Sequence, residues 1–329
     1  MAYTTIDNPE LYFQVKTYSG SSGDQAITLD GSENMQPDMV WVKDRGNSEN
    51  HTVWDSARGV NKYIAPDGNY SEDGSTTGLS AFSTNGFTVA NWNGTGASGR
   101  TYVAFAWKES ATAGFDIVTY TGNSTSGRTV SHSLGSFKPH FMLIKNRGSN
   151  ESWAVYLHQL TADKWLELDV TGSVSDSPNR FNDTEPTTSE FTLGNSNTVN
   201  TGYTYVGYLW SQKQGFSRFG TYIHGTGNAN GAYIHLGFRA AWVMTKKSSG
   251  TGNWIIGDNK RNTGNPIGKQ VEANSNGAEY DNERLDILSN GFKHRASGSD
   301  ANGTGTTYTY YAFAESPFVN SNGVPCNAR

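Results

Sequence analysis

The sequence predicts an all-β protein, and three observations carry that prediction. The chain of 329 residues holds 38 Gly yet also 9 Trp, 17 Tyr and 15 Phe. Large rings among many turn residues mark short strands joined by loops. Turn signals punctuate the chain at about 8–12 residues, the spacing of sandwiches and barrels. No long segment shows a 3.6-residue apolar period with caps, and the best helix candidate is the short region Thr161–Leu168. The expected fold is three tandem antiparallel β-sandwiches, jelly-roll or concanavalin-like, of about 100 residues each.

The number three comes from an internal repeat. The first landmark is a strand entering a Gly-rich turn, FQVKTYSG from Phe13, FDIVTYTG from Phe115 and FSRFGTYIHG from Phe216, 102 and 101 residues apart. PDMVWVKDRG from Pro37, PHFMLIKNRG from Pro139 and AAWVMTKKSSG from Ala240 follow, with Lys43, Lys145 and Lys246 in register. A Trp strand comes third, around Trp54, Trp153 and Trp254. The fourth landmark is FSTNGFTV from Phe82, matched by SEFTLG around Phe191 and ILSNGFKH from Ile287; Asn85-Gly86 and Asn290-Gly291 tolerate positive φ and signal hairpins. TYVAFAWKES from Thr101, TYVGYLWSQK from Thr204 and TYTYYAFAES from Thr307 close each copy. Tyr102, Ala104 and Ala106 alternate with Val103, Phe105 and Trp107, so both faces of this strand are apolar and both are expected to be covered. The domains read 1–112, 113–214 and 215–329, the last with a C-terminal tail.

Composition excludes several classes. A net charge of −5 with no Lys/Arg cluster argues against a nucleic-acid grip. There is no apolar run long enough for membrane insertion and no signal peptide at the start. The single Cys326 supplies neither an internal disulfide nor a multi-Cys metal site. The expected cofactor set is empty.

No catalytic constellation emerges, and a non-enzymatic protein is expected. GxSxG, HExxH, Walker A and CxxC are all missing. His224 and His235 flank a Gly loop and read more simply as strand residues than as a metal pair. Asp55, Asp169 and Asp258 fall in or after the Trp strands, and Glu109 and Glu315 end closing strands; recurrence by repeat favours strand-end hydrogen bonding over glycosidase chemistry. The turns at Lys43–Gly46 and Lys145–Gly148 read as structural, with Lys and Arg pairing nearby acids. Oxygen-rich DGSEN (Asp30–Asn34) and PDGNYSEDG (Pro66–Gly74) lack EF-hand spacing. Tyr70 and Trp92, in polar loops, are the candidates for stacking on sugar rings.

The opening MAYTTIDNPELYF, the module QPDMVWVKDRG, the hairpin FSTNGFTV, the strand TYVAFAWKE and the tail YYAFAESPFVNSNGVPCNAR together resemble a domain family of uncharacterised structural proteins of marine tailed phages, including those of cyanobacteria. The resemblance covers the whole chain and weakens in the second and third copies. It implies a virion component, such as a tail fibre, head fibre or capsid-bound knob, made in the host cytoplasm and assembled with other virion proteins. It implies no catalytic residues. A homo-oligomer is expected, a trimer among the options, anchored through the N-terminal arm and apolar tail at Tyr3, Leu11, Phe313 and Phe318. The alternatives are an adhesin for host surface polysaccharide and, less favoured, a depolymerase.

Overall fold

The computed structural model describes residues 2–75, 77–224, 228–297 and 299–327. It is all-β, with multiple antiparallel sheets. The first repeat contains β1 (Phe13–Ser19), β2 (Gln25–Thr28), β3 (Met39–Asp44), β4 (Thr52–Asp55), β5 (Lys62–Tyr63), β6 (Asp73–Gly74), β7 (Leu79–Ser83), β8 (Gly86–Val89) and β9 (Thr101–Trp107). The second contains β10 (Phe115–Thr121), β11 (Arg128–Ser131), β12 (Phe141–Asn146), β13 (Ala154–Leu157), β14 (Lys164–Glu167), β15 (Ser175–Asp176), β16 (Glu190–Leu193) and β17 (Thr204–Trp210). The third contains β18 (Ser217–His224), β19 (Tyr233–His235), β20 (Phe238–Lys247), β21 (Trp254–Asp258), β22 (Ile267–Glu272), β23 (Tyr280–Leu288), β24 (Gly291–His294) and β25 (Thr306–Pro317). Thr161–Leu168 is not helical: a single 3-10 turn, His158–Leu160, precedes it and β14 occupies its second half, because alternating Trp165 and Leu166 pair with neighbouring strands.

Each repeat builds its main sheet in one order. The closing strand sits between the first strand and the Lys-bearing strand, giving β1-β9-β3-β4, β10-β17-β12-β13 and β18-β25-β20-β21. A smaller set of strands covers the outer face: β2-β8-β7, β11-β16 and β19-β24-β23. The hairpin turn at Asn85-Gly86 joins β7 to β8, and Gly86 takes φ +121 where a side chain would strike the Ile27 carbonyl. Registers match between repeats. Tyr18 opposes Tyr102, Tyr120 opposes Tyr205 and Tyr222 opposes Tyr308, and each pair of rings stacks at 5.0–5.3 Å.

These registers correct two alignments made from sequence. Phe13 and Phe115 pair with Trp107 and Trp210, but the residue pairing with Phe313 is Ser217, not Phe216. Lys246 pairs with Trp254, which places His51, Trp153 and Trp254 in one position, whereas Trp54 opposes Val40 as Tyr156 opposes Met142. Matching by tryptophan identity had shifted the first copy by three residues.

The two faces of the main sheets have different neighbours. Val40, Val42, Tyr102, Ala104 and Ala106 pack outward with Ile27, Phe87 and Val89 of the first repeat, and Met142, Ile144, Tyr205 and Leu209 pack outward with Val130, Phe191 and Leu193 of the second. The alternate residues point inward and join a single apolar cluster drawn from all three repeats. Trp107, Trp210 and Phe313, equivalent residues of the three closing strands, form a triangle where the repeats converge, at the end of the strands away from the lysines, with ring centroids 6.1, 5.6 and 6.3 Å apart. The repeats are therefore folded back around a common axis rather than strung in line. The sequence had shown that both faces of the closing strand are apolar; the inward partner is the other two repeats.

Trp107→Ala should cost about 3–5 kcal/mol in urea unfolding, as for a large buried aromatic. Trp92→Ala, at a half-buried loop position, should cost on the order of 1 kcal/mol. Similar small losses for both would contradict a central role for the triangle.

Candidate functional site

Recurring polar residues are largely occupied in joining the repeats. Lys43, Lys145 and Lys246 follow inward-facing apolar residues on their strands and end the shared core. Each buried ammonium donates to a carbonyl of its own turn and to one of another repeat: Lys43 to Asn276, Lys145 to Asn69 and Lys246 to Thr171, at 3.0–3.2 Å. Burial pushes all three lysines down to about 8 against the partial support of neighbouring carboxylates. The links run from repeat 1 to 3, from 2 to 1 and from 3 to 2, and so close a ring.

Ion pairs follow two of the three links. Arg147 binds Glu72 in a bidentate pair at 2.8 and 3.0 Å, and Arg45 binds Glu279 likewise at 2.9 and 3.0 Å. Glu72 also meets Arg58, which is held 2.5 Å from Asp55; Glu279 meets Arg261, held 2.5 Å from Asp258. At the third link the backbone contact persists, from Val174 N–H to the Ser248 carbonyl, while Leu157, Leu160 and Val174 replace the Asp, Arg and Glu. Of the Lys-Arg turns, the arginines do pair with acids, those of a neighbouring repeat, whereas the lysines bind backbone carbonyls instead. Asp55 and Asp258 are partners of a buried arginine. Asp169 belongs elsewhere: like Asp67 and Asn274, it accepts the N–H of the first residue of a Trp-strand position, here Trp153.

The termini and the lysines lie at opposite ends of the axis. Tyr3 donates to the Gly237 carbonyl, Thr4 donates to Gln214 and Asp7 accepts from Ser321, all beside the Trp107 end of the strands. This end is called the base and the lysine end the tip; seven-residue strands set them roughly 20 Å apart. Of the anchor candidates, Tyr3 and Phe318 are half-buried and meet edge to face at 6.4 Å, and Leu11 is half-buried. Phe313 is 1% exposed at the axis, where its three-way packing puts it out of reach of an external partner.

Tyr70 stands at the tip, 53% exposed, over a cleft of about 340 Å³ between repeats 1 and 2. Asn50, Tyr63, Ala65, Glu72, Asp73 and Asn150 line it. Trp92 is half-buried and packs against Tyr63 at 5.2 Å, behind the cleft rather than on its surface. Sequence reasoning missed Asn50, Tyr63 and Asn150, because the fold alone brings residue 150 beside residue 71: Ser71 N–H donates to Asn150 Oδ1 at 2.9 Å.

Other titratable groups are dispersed. His140 and His158 meet edge to face at 4.6 Å, and burial pushes His140 down to about 4. Burial and a hydrogen bond to Asp116 push Glu109 up to about 7, while Glu315 pairs with Arg239. No group of three His, Cys, Asp or Glu residues among the described residues is arranged to hold a metal. The His224 side chain and Gly225–Gly227 lie outside the described residues, so the His224/His235 pair is not seen. Among the described residues no helix is long and apolar enough to cross a membrane.

Residues 8–317 match, as one stretch, the family described as a domain of unknown function, DUF7483. The chain belongs to the DUF7483 family. The match begins at Asn8, which caps the 3-10 turn before β1, and ends at Pro317, the last residue of β25, so this DUF7483 domain spans all three repeats. Among curated proteins none matches the chain.

Two outcomes test the inter-repeat ties. The arginines hold Glu72 and Glu279 below the usual glutamate range against opposing burial. Their pairing therefore contributes stability above pH about 4.5 that is lost as pH falls through the lower folded values. A Glu72→Gln/Glu279→Gln variant should be less stable at pH 7 and show a shallower acid limb in urea titrations; an unchanged acid limb would contradict the assignment. For the lysines, the unfolded chain holds more protons between pH 8 and 10.5, so their contribution to stability rises with pH across that window. Side-chain NMR of labelled lysine should show four resonances titrating near 8, those of the three ring lysines and of Lys213, which burial also pushes down to about 8; a Lys213→Arg variant should leave three, and all of these titrating near 10.5 would contradict the buried ring.

Proposed function

We propose that this DUF7483 chain is a non-enzymatic structural protein of a tailed-phage particle, a rigid knob made of three β-sandwich units at 1–112, 113–214 and 215–329. The observation that carries the reading is the separation of base from tip. The N-terminal arm and C-terminal tail meet at the base, through Tyr3 on Gly237 and Phe318 and Asp7 on Ser321. The exposed Tyr70 and its cleft are at the other end. A body mounted by one end and presenting loops at the other suits an attachment role. The repeated acids and bases are engaged in ties between units, which favours a scaffold over a catalyst. The phage assignment itself rests on the resemblance of the opening segment, the first repeat and the tail. Assembly with other virion proteins, through the base and as a homo-oligomer, belongs to the same proposal.

Immunogold labelling of purified phage particles with antibody to this chain tests it. Regular labelling at one particle location is expected, with an antibody against the Tyr70 loop binding intact particles. Particles without label, beside chain that remains wholly in the soluble lysate, would overturn the virion assignment.

A further inference from the structure

We propose that the tip cleft between repeats 1 and 2 binds a pyranose ring of an uncharged polysaccharide, with Tyr70 as the stacking platform. The argument begins by subtracting what the repeated architecture requires. The carbonyls of Asn69, Thr171 and Asn276 receive the three lysines, so these residues are equivalent. The residues after them are Tyr70, Gly172 and Gly277. Glycine suffices for this turn twice, so packing does not call for a tyrosine there, and its ring is left more than half in water.

The ring is nonetheless held. It lies against Gly68, where a side-chain carbon would come within 2.4 Å of Cε2 and 2.7 Å of Cδ2, so the ring rests on the backbone there. A tyrosine restrained in this way offers rigid apolar area at low entropic cost, which suits the C–H face of a sugar. The cleft volume of about 340 Å³ is in the range of small-ligand sites. Its rim carries the groups that hydroxyls need. Asn150 uses Oδ1 on Ser71 N–H, while its Nδ2 and the Asn50 amide make no hydrogen bond among the described residues.

The electrostatics choose the class of sugar. Glu72 is taken up by Arg147, Arg58 and Lys62, and Asp73 accepts from the Tyr63 hydroxyl at 3.1 Å and from Gly74 N–H. The cations beside the cleft, Arg58, Arg147 and Lys62, already face Glu72, Lys145 is buried on backbone carbonyls, and Asp73 stays exposed. An anionic sugar would meet negative charge with no cation to receive it, whereas neutral hydroxyls can donate to Asp73. The corresponding cleft of repeat 3, at Glu272, Gly277, Ala278 and Tyr280, is smaller, about 180 Å³, and has no ring at the Tyr70 position. This reading does not depend on the particle assignment: a sugar site would stand in a protein of any location.

The full chain titrated by saturation-transfer NMR with gluco-, manno- and galacto-hexaose, and with a hexauronate, tests the proposal. At least one neutral hexaose should saturate at micromolar to millimolar concentration, with hexauronate weaker. Tyr70→Gly, which restores the residue of the other two repeats and should leave the melting temperature unchanged, should weaken binding tenfold or more, and Tyr70→Phe should retain most of it. No saturation by any neutral hexaose, tighter binding of hexauronate, or binding that survives Tyr70→Gly would each overturn it.

Discussion

The fold depends on the burial of both faces of three closing strands. A sheet with one apolar face can rest on a single partner sheet; β9, β17 and β25 carry apolar side chains on both. Their outer faces are covered within each repeat. Their inner faces are covered by the other two repeats, as Trp242 packs on Phe105 and Phe141 on Tyr311, and Trp107, Trp210 and Phe313 meet where the three faces converge. At roughly 25 cal/mol per Å² of apolar surface, opening this centre would cost far more than a surface contact contributes. The lysine ring follows from the same constraint. The apolar column has to end where backbone carbonyls turn inward, and a long apolar stem with a terminal donor group satisfies both conditions.

Divergence among the three links shows what the architecture tolerates. Two links bury an Asp–Arg–Glu–Arg chain of charges; the third replaces Asp, Arg and Glu by Leu157, Leu160 and Val174. A buried, fully paired charge network and a well-packed apolar substitute of similar size are often close in stability, so the exchange is physically ordinary. All participants changed together, because an arginine left facing leucine would be a buried unpaired charge. The difference also makes the three links chemically distinct, which favours one order of repeats around the axis.

Much of this was legible in sequence, for local reasons. Strand periodicity, Asn-Gly turns and the roughly hundred-residue repeat follow from nearest-neighbour chemistry, and the two-faced strand Thr101–Trp107 implied cover on both faces within a repeat that buries its own core, whereas one face is covered by the other two repeats. Register was harder. Trp54 attracted the alignment by its identity, yet the equivalent of Trp153 is His51, whose Nδ1 accepts from Trp41 Nε1 at 2.8 Å. The acids paired with Arg45 and Arg147 could not be read, since Glu279 and Glu72 are distant in sequence and join them only when the repeats close into a ring. At the candidate site, exposed Tyr70 was visible as a ring in a polar loop, while Asn150 enters from another repeat.

This arrangement separates the work of the molecule. The centre and the inter-repeat charges hold the body rigid, the base gathers both ends of the described chain, and the tip is free to vary, as Tyr70, Gly172 and Gly277 show. The central claim is that the three repeats are one cooperative structure rather than three neighbours. Scanning calorimetry of the full chain tests it most directly. A single transition whose calorimetric enthalpy equals its van't Hoff enthalpy is the result expected of a shared core. Resolved transitions, each with about a third of the enthalpy, would contradict it.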